Sequence, residues 1–287
     1  MFSGKFRICD VFGIPVYLDM SLIILLVLFV TGGSSFIAGL ACAVALAVSI
    51  TLHELGHALT ARAFGYQTRD ITLSLLGGCA SLISMPRKAY QEFLTAIAGP
   101  AVSFALSAFG IVGIVLTASQ AGFGDASGFV VSEVLESFGL HVELGNGIFV
   151  DPGRKVLVEM MFYLSSINMM LGIFNLLPGF PMDGGRVFRS VMRQFTSRVK
   201  ATYIAMVVGR VVAVGIGLKG LWSLFNGGNW GVVSILIAWM IWREGWREYV
   251  LAVQEERWGS PWEYSARVSR PPYDDGGDEE VEVRRKR

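Results

Sequence analysis

The chain has 287 residues, of which 53% are hydrophobic and only 16% charged, with a net charge of +1. Soluble domains carry about 25% charged residues, so this balance excludes an ordinary soluble globule and points to a membrane protein. No basic-aromatic stripe accompanies the near-zero charge, and no nucleic-acid partner is expected. Cys9, Cys42 and Cys79 are odd in number and widely spaced, which reads as free thiols rather than a disulfide framework.

Six apolar stretches come close to or exceed the roughly 20 helical residues that a bilayer requires. They lie near Pro15–Val30, Ser35–Ala63, Tyr90–Thr117, Val156–Leu177, Tyr203–Phe225 and Trp230–Val250. The first follows charged residues and lacks a small-residue cleavage site, so it is not read as a signal peptide. Between the second and third, Thr68–Arg87 alternates weakly around Gly77-Gly78 and is too short and broken to span; a membrane-edge β-hairpin is expected. A loop from Ala118 to Lys155 follows, mildly amphipathic around Val131–Val142. The expected fold is therefore an all-α polytopic membrane protein, with six transmembrane helices and one short hairpin between helices 2 and 3. Residues 1–253 form this core, and the polar, mixed-charge stretch 254–287 is expected to be disordered. Twenty of the 24 basic residues fall on the side that carries both termini, which makes that side cytoplasmic by the positive-inside rule.

At the end of the second stretch stands His53-Glu54-Leu55-Gly56-His57. Ionisable groups in lipid are costly and mark function by default. The i, i+4 spacing sets both imidazoles on one helix face, where two neutral nitrogens can share a metal ion with Glu54 beside them as a base. His53 precedes Arg62 by nine residues, or roughly 13 Å of helix, which puts the pair in the cytoplasmic half of the bilayer. Hydrolytic zinc takes three protein ligands and an open position. His141 lies in the opposite-side loop and cannot reach, which leaves a carboxylate or thiolate as the third ligand. The fourth stretch breaks at Asn175-Leu-Leu-Pro-Gly-Phe-Pro-Met-Asp183-Gly-Gly-Arg186, and Asp183 can either complete the metal shell or sit as a turn aspartate before Gly-Gly.

His-Glu-Leu-Gly-His followed by Asn-Leu-Leu-Pro-Gly-Phe-Pro-Met-Asp-Gly-Gly-Arg resembles the site-2 protease family of intramembrane zinc metalloproteases, in their minimal form without PDZ or CBS modules. The resemblance implies a zinc ion on His53, His57 and Asp183, Glu54 as catalytic base, and Asn175 in contact with substrate or transition state. It further implies that the hairpin at Gly77 and Gly78 pairs with an unwinding substrate, within single-span membrane proteins subject to regulated intramembrane proteolysis. Arg186 is a candidate partner of Asp183 or a positive-inside anchor. The competing reading is a multi-pass metal-ion transporter using the same His/Asp cluster, although no internal repeat of the transporter kind is visible. Oligomeric state is left open by the sequence, as is the identity of the substrate.

Overall fold

The computed structural model describes residues 5–32, 36–74, 77–82, 88–118, 121–137, 152–227 and 231–258. The chain opens with a hairpin, β1 (Lys5–Val11) and β2 (Ile14–Asp19), whose turn places Phe12 and Gly13 at φ 52° and 76°. Two left-handed residues are what a tight two-residue hairpin demands, and Gly13 adopts that conformation at no steric cost. Helices α1 (Met20–Gly32) and α2 (Phe36–Ala63) follow, then strands β3 (Thr68–Ser74) and β4 (Gly77–Leu82). β2 pairs parallel with β3, and the other two pairings are antiparallel, giving one sheet in the order β1-β2-β3-β4. The helix pair α1–α2 is thus the crossover of a parallel strand pair.

This corrects the all-α expectation in two respects. The hairpin at Thr68–Arg87 is present but is half of a four-stranded sheet. Pro15–Asp19, expected within a span, is strand β2, and the 13-residue α1 is only about 20 Å long, short of a bilayer's hydrocarbon core. The alternation in Ile14-Pro-Val-Tyr-Leu-Asp is the reason: Ile14 and Val16 are buried against α2, while Pro15 and Tyr17 are only partly covered.

The remaining elements are α3 (Ala89–Thr117), α4 (Phe123–Ser137), α5 (Lys155–Asn175), α6 (Asp183–Met192), α7 (Arg198–Phe225) and α8 (Gly231–Trp258). Helix α4 falls where a loop was expected, its buried Ala126, Val130 and Val134 spaced one turn apart against α3 and α5. Helix α8 runs five residues past the expected core boundary, and Arg198 of α7 pairs with its Glu255 at 2.9 Å. His141, the hairpin tip at 75–76 and the tail beyond 258 lie outside the described residues.

Among the described residues, four helices are long and apolar enough to cross a membrane: Cys42–Ala63 within α2, then α3, α5 and α7. Lipid gives packed helices no hydrophobic incentive to associate, so their contacts are made by small and hydroxylic residues. Gly110 of α3 abuts the Met161 carbonyl and Ser165 of α5; Ser107 and Ser165 bond at 3.1 Å. Asn168 of α5 donates to Ser49 of α2 at 2.8 Å. The sheet covers the C-terminal half of α2 through Ile14, Val16, Ile71 and Leu73 packed on Ile50, Leu55 and Ala58. Helix α2 then stops at Gly65, whose φ of 85° lets its own N–H and that of Tyr66 cap the last carbonyls at Arg62 and Ala61.

Candidate metal centre

Helix α2 carries Ser49, His53 and His57 one turn apart on a single buried face. Both imidazoles point their Nε2 atoms at one oxygen, Oδ2 of Asp183, at 3.1 Å from His53 and 3.0 Å from His57. One ligand atom from each of the three lies within 4.8 Å of the others, and all three residues are buried. The far nitrogens are already engaged: Nδ1 of His57 donates to the Thr95 carbonyl at 2.7 Å, and Nδ1 of His53 meets the Ser103 hydroxyl at 2.8 Å. Because a carbonyl only accepts, His57 donates from Nδ1, which in the neutral ring leaves Nε2 free for a metal ion. This is the tautomer a metal ligand needs.

Asp183 is the first residue of α6, delivered by the turn that ends α5. That turn is closed by backbone bonds from Leu177 to Phe174, Gly179 to Leu177 and Met182 to Gly179. Its glycines permit close backbone contact. A side chain at Gly184 would strike the Leu176 and Leu177 carbonyls, and one at Gly185 would strike Gly179 and Phe180. The Asp-Gly-Gly sequence is therefore tucked beneath the broken end of α5, and the tuck aims Asp183 at α2.

The third helix completes the centre, and this part went unread in the sequence. Thr95, Gly99 and Ser103 share one face of α3. A Cβ on Gly99 would lie 2.7 Å from His53 Nε2 and 2.5 Å from His57 Cε1, so only glycine leaves the inward nitrogens room for an ion. Gly56, between the histidines, sits with its own missing Cβ against the Ala98 carbonyl, which brings α2 and α3 together. The available signal was the recurrence of small or hydroxylic residues every four positions, Thr95, Gly99, Ser103 and Ser107. The donor set fits a divalent ion of the zinc type: two imidazoles, one carboxylate and the space that Gly99 leaves beside them.

The other expected residues are placed as follows. Glu54 is buried, 6% exposed, and close enough to act electrostatically on His57. Asn175 is the last residue of α5, and its Nδ2 donates to the Leu171 carbonyl one turn back at 3.0 Å. Arg186 is partly buried on α6 and makes no ion pair with Asp183 among the described residues. Gly77 and Gly78 begin β4, paired with Ser74 and Leu73 at the end of the sheet.

A charged cluster that the sequence did not disclose lies one turn further along. Arg189 of α6, 2% exposed, bonds Glu92 of α3 through Nε at 2.7 Å and Glu248 of α8 through Nη1 at 2.9 Å, and stacks on Phe180. Arg193 adds a 2.6 Å bond to the second Glu92 oxygen. Burial by itself would lower the Arg189 pKa, but the two glutamates outweigh it and hold the guanidinium above its ordinary value. The cluster ties α6 to α3 only about 4.5 Å of helix from Thr95.

Residues 41–216 match Peptidase family M50, and the chain belongs to that family. It is 32% identical over 256 residues to a provisionally named zinc metalloprotease of Synechocystis, covering 83% of this chain and 58% of that protein. A zinc metalloprotease of Methanocaldococcus jannaschii is likewise 32% identical over 255 residues, covering 88% and 60%. The chain thus spans about three fifths of the length of these curated relatives. Among solved structures, the site-2 protease from M. jannaschii superposes with a TM-score of 0.56 at 26% identity, covering 86% of this chain and 95% of that one. The kinship expected from the two motifs therefore holds.

Proposed function

We propose that this chain is an intramembrane metalloendopeptidase, with one zinc ion held by His53, His57 and Asp183 and with Glu54 as general base. The supporting observation is the convergence of two imidazoles and a carboxylate within 4.8 Å, beside a buried glutamate, in a helix apolar enough to cross a bilayer. Zinc, when bound, would polarise the scissile carbonyl and bring a water pKa toward about 7. The protein's own groups do the rest. Glu54 takes the proton of the attacking water and returns it to the departing amine. Thr95 and Ser103 fix the imidazole orientations. Asn175, by exchanging its bond to Leu171 for one to substrate, would offer Nδ2 to the developing oxyanion or to the substrate backbone. Arg186 adds positive charge near Asp183, in keeping with a supporting role.

The substrates we envisage are single-span membrane proteins. A helical peptide bond must first unwind, and β4, the terminal strand that begins at Gly77 and Gly78, offers an edge to the freed backbone. The asymmetry of Lys and Arg supports an even number of spans, with both termini on the cytoplasmic face of the plasma membrane and the centre nearer that face.

The test is Glu54→Gln in the full chain, reconstituted with a single-span substrate. Cleavage should fall by at least about 100-fold while bound zinc is retained, since general-base catalysis contributes roughly 10²–10⁴. Asp183→Ala should lose both. Native-rate cleavage by the Gln variant would remove Glu54 from the mechanism. Zinc flux into vesicles that persists in both proteins, without cleavage by either, would establish the transporter reading instead.

A further inference from the structure

Arg210 stands in the middle of a candidate membrane span, where a charge requires an explanation. It belongs to neither the metal centre nor the Arg189 cluster. Its guanidinium lies 4.6 Å from the centroid of Trp242 and 5.5 Å from that of Trp246, both on α8. Arg243 repeats the arrangement over Trp239 at 5.2 Å. No ion pair involves Arg210 among the described residues, and its buried Nε has no hydrogen-bond partner. The three indoles remain 47–55% exposed, on an outer face that continues with exposed Val211, Val214 and Leu218.

Two independent features fix the level of this face. Tryptophans collect where hydrocarbon meets headgroups. Helix α8 also changes there from an apolar run, Val232 to Trp242, to the charged Arg243-Glu244-Gly-Trp-Arg247-Glu248. Arg210 is therefore level with the end of the apolar run of α8, from where a long side chain reaches the headgroups past an aromatic clamp on the hydrocarbon side. We propose that Arg210, Trp242 and Trp246, with Arg243, form a binding site for the phosphate of an anionic phospholipid, whose acyl chains lie along Val211, Val214 and Leu218. The clamp holds the guanidinium plane fixed, which prepares it for a two-pronged bond to phosphate oxygens. Arg243 and Arg247 share one carboxylate, Glu244, and Arg210 pairs with none among the described residues, so the local charge favours an anionic over a zwitterionic lipid. A soluble anion would leave the apolar wall uncovered.

The experiment measures lipid selectivity of the full-length protein in phosphatidylcholine bilayers, comparing spin-labelled phosphatidylglycerol with spin-labelled phosphatidylcholine by electron paramagnetic resonance. Native protein should prefer phosphatidylglycerol, and Arg210→Gln should weaken that preference by about fivefold, the worth of one basic contact at a charged surface. Arg210→Lys should fall between them, and Lys219→Gln, at the far end of the same helix, should match native protein. If Arg210→Gln does not fold, Trp246→Leu on the exposed face is expected to lower the preference instead. Equal association of the two lipids, or an unchanged preference in the variants, overturns the proposal. Loss of the preference on adding excess inorganic phosphate also overturns it, because the site would then serve a soluble anion.

Discussion

Gly99→Ala isolates the geometry of the metal centre better than removal of a ligand does. The new methyl carbon would stand 2.7 Å from His53 Nε2 and 2.5 Å from His57 Cε1, where ordinary contact begins at 3.4 Å. The rings must therefore retreat by roughly 0.7 Å or more, whereas metal–ligand distances hold to within about 0.2 Å. Disturbing a group that merely orients a ligand costs 10–100-fold in affinity, so displacing both ligands should cost at least about 100-fold, or ~2.7 kcal/mol. The fold itself has reason to tolerate the change, since Ala is preferred to Gly inside a helix by about 1 kcal/mol. Gly113→Ala on the same helix is the control. Its methyl meets Met161 Sδ at 2.8 Å, the far end of a flexible side chain that can swing aside. The assay is zinc content per chain after dialysis, followed by competition with a graded series of chelators. Should Gly99→Ala retain one zinc against the chelator concentration that native protein withstands, the assignment of the cradle beside Gly99 is wrong.

Two further outcomes follow from the same contacts. Ser103→Ala removes the partner of His53 Nδ1 and should weaken zinc binding about 10-fold, measured by the same competition, while the helices stay intact by circular dichroism. Arg189→Met strands Glu248 and leaves Glu92 to Arg193 alone, in a cluster where Arg189 and Glu92 are 2% and 9% exposed, and should destabilise the protein by up to ~3–5 kcal/mol in detergent unfolding. Adding Glu92→Gln and Glu248→Gln to that variant should recover most of the loss, because uncompensated buried charge is the cause. A loss under about 1 kcal/mol in the single variant would show that water reaches the cluster.

The two sequence motifs exposed the cluster of His53, His57 and Asp183 because each encodes its geometry locally. His53 and His57 share a face by helical arithmetic, and the prolines and glycines before Asp183 announce a break where a helix must stop. Orientation of the imidazoles was not legible, since Thr95 contributes a backbone carbonyl, which any residue type possesses. The Arg189 cluster was equally hidden: its members are 97 and 59 residues apart in sequence, and each alone reads as a positive-inside or interfacial charge. The strand at Ile14–Asp19 was lost to a neighbour. Its apolar residues merge with those of α1 into one hydropathy peak, so window averages register a span while the period-two alternation is overrun. Asn175 was placed correctly at the end of α5, but its bond to Leu171 depends on rotamer, which sequence does not carry.

The proposed chemistry sits on α2 and α6, yet the placement of every proposed ligand passes through α3. Thr95 orients His57, Ser103 contacts His53, and Gly99 leaves the space between them. Asp183 is reached indirectly: α6 is pinned at its start by Gly184 and Gly185 against the end of α5, and further along by Arg189 on Glu92 of α3. Helix α3 is thus the common reference for two imidazoles that belong to α2 and a carboxylate that arrives from the other half of the chain. A long helix is suited to that task, because a ligand sphere that tolerates about 0.2 Å cannot be referenced to a loop. Since α8 joins the same reference through Glu248, any movement of α8 that breaks its bond to Arg189 acts on α6, and hence on the distance between Asp183 and the two histidines.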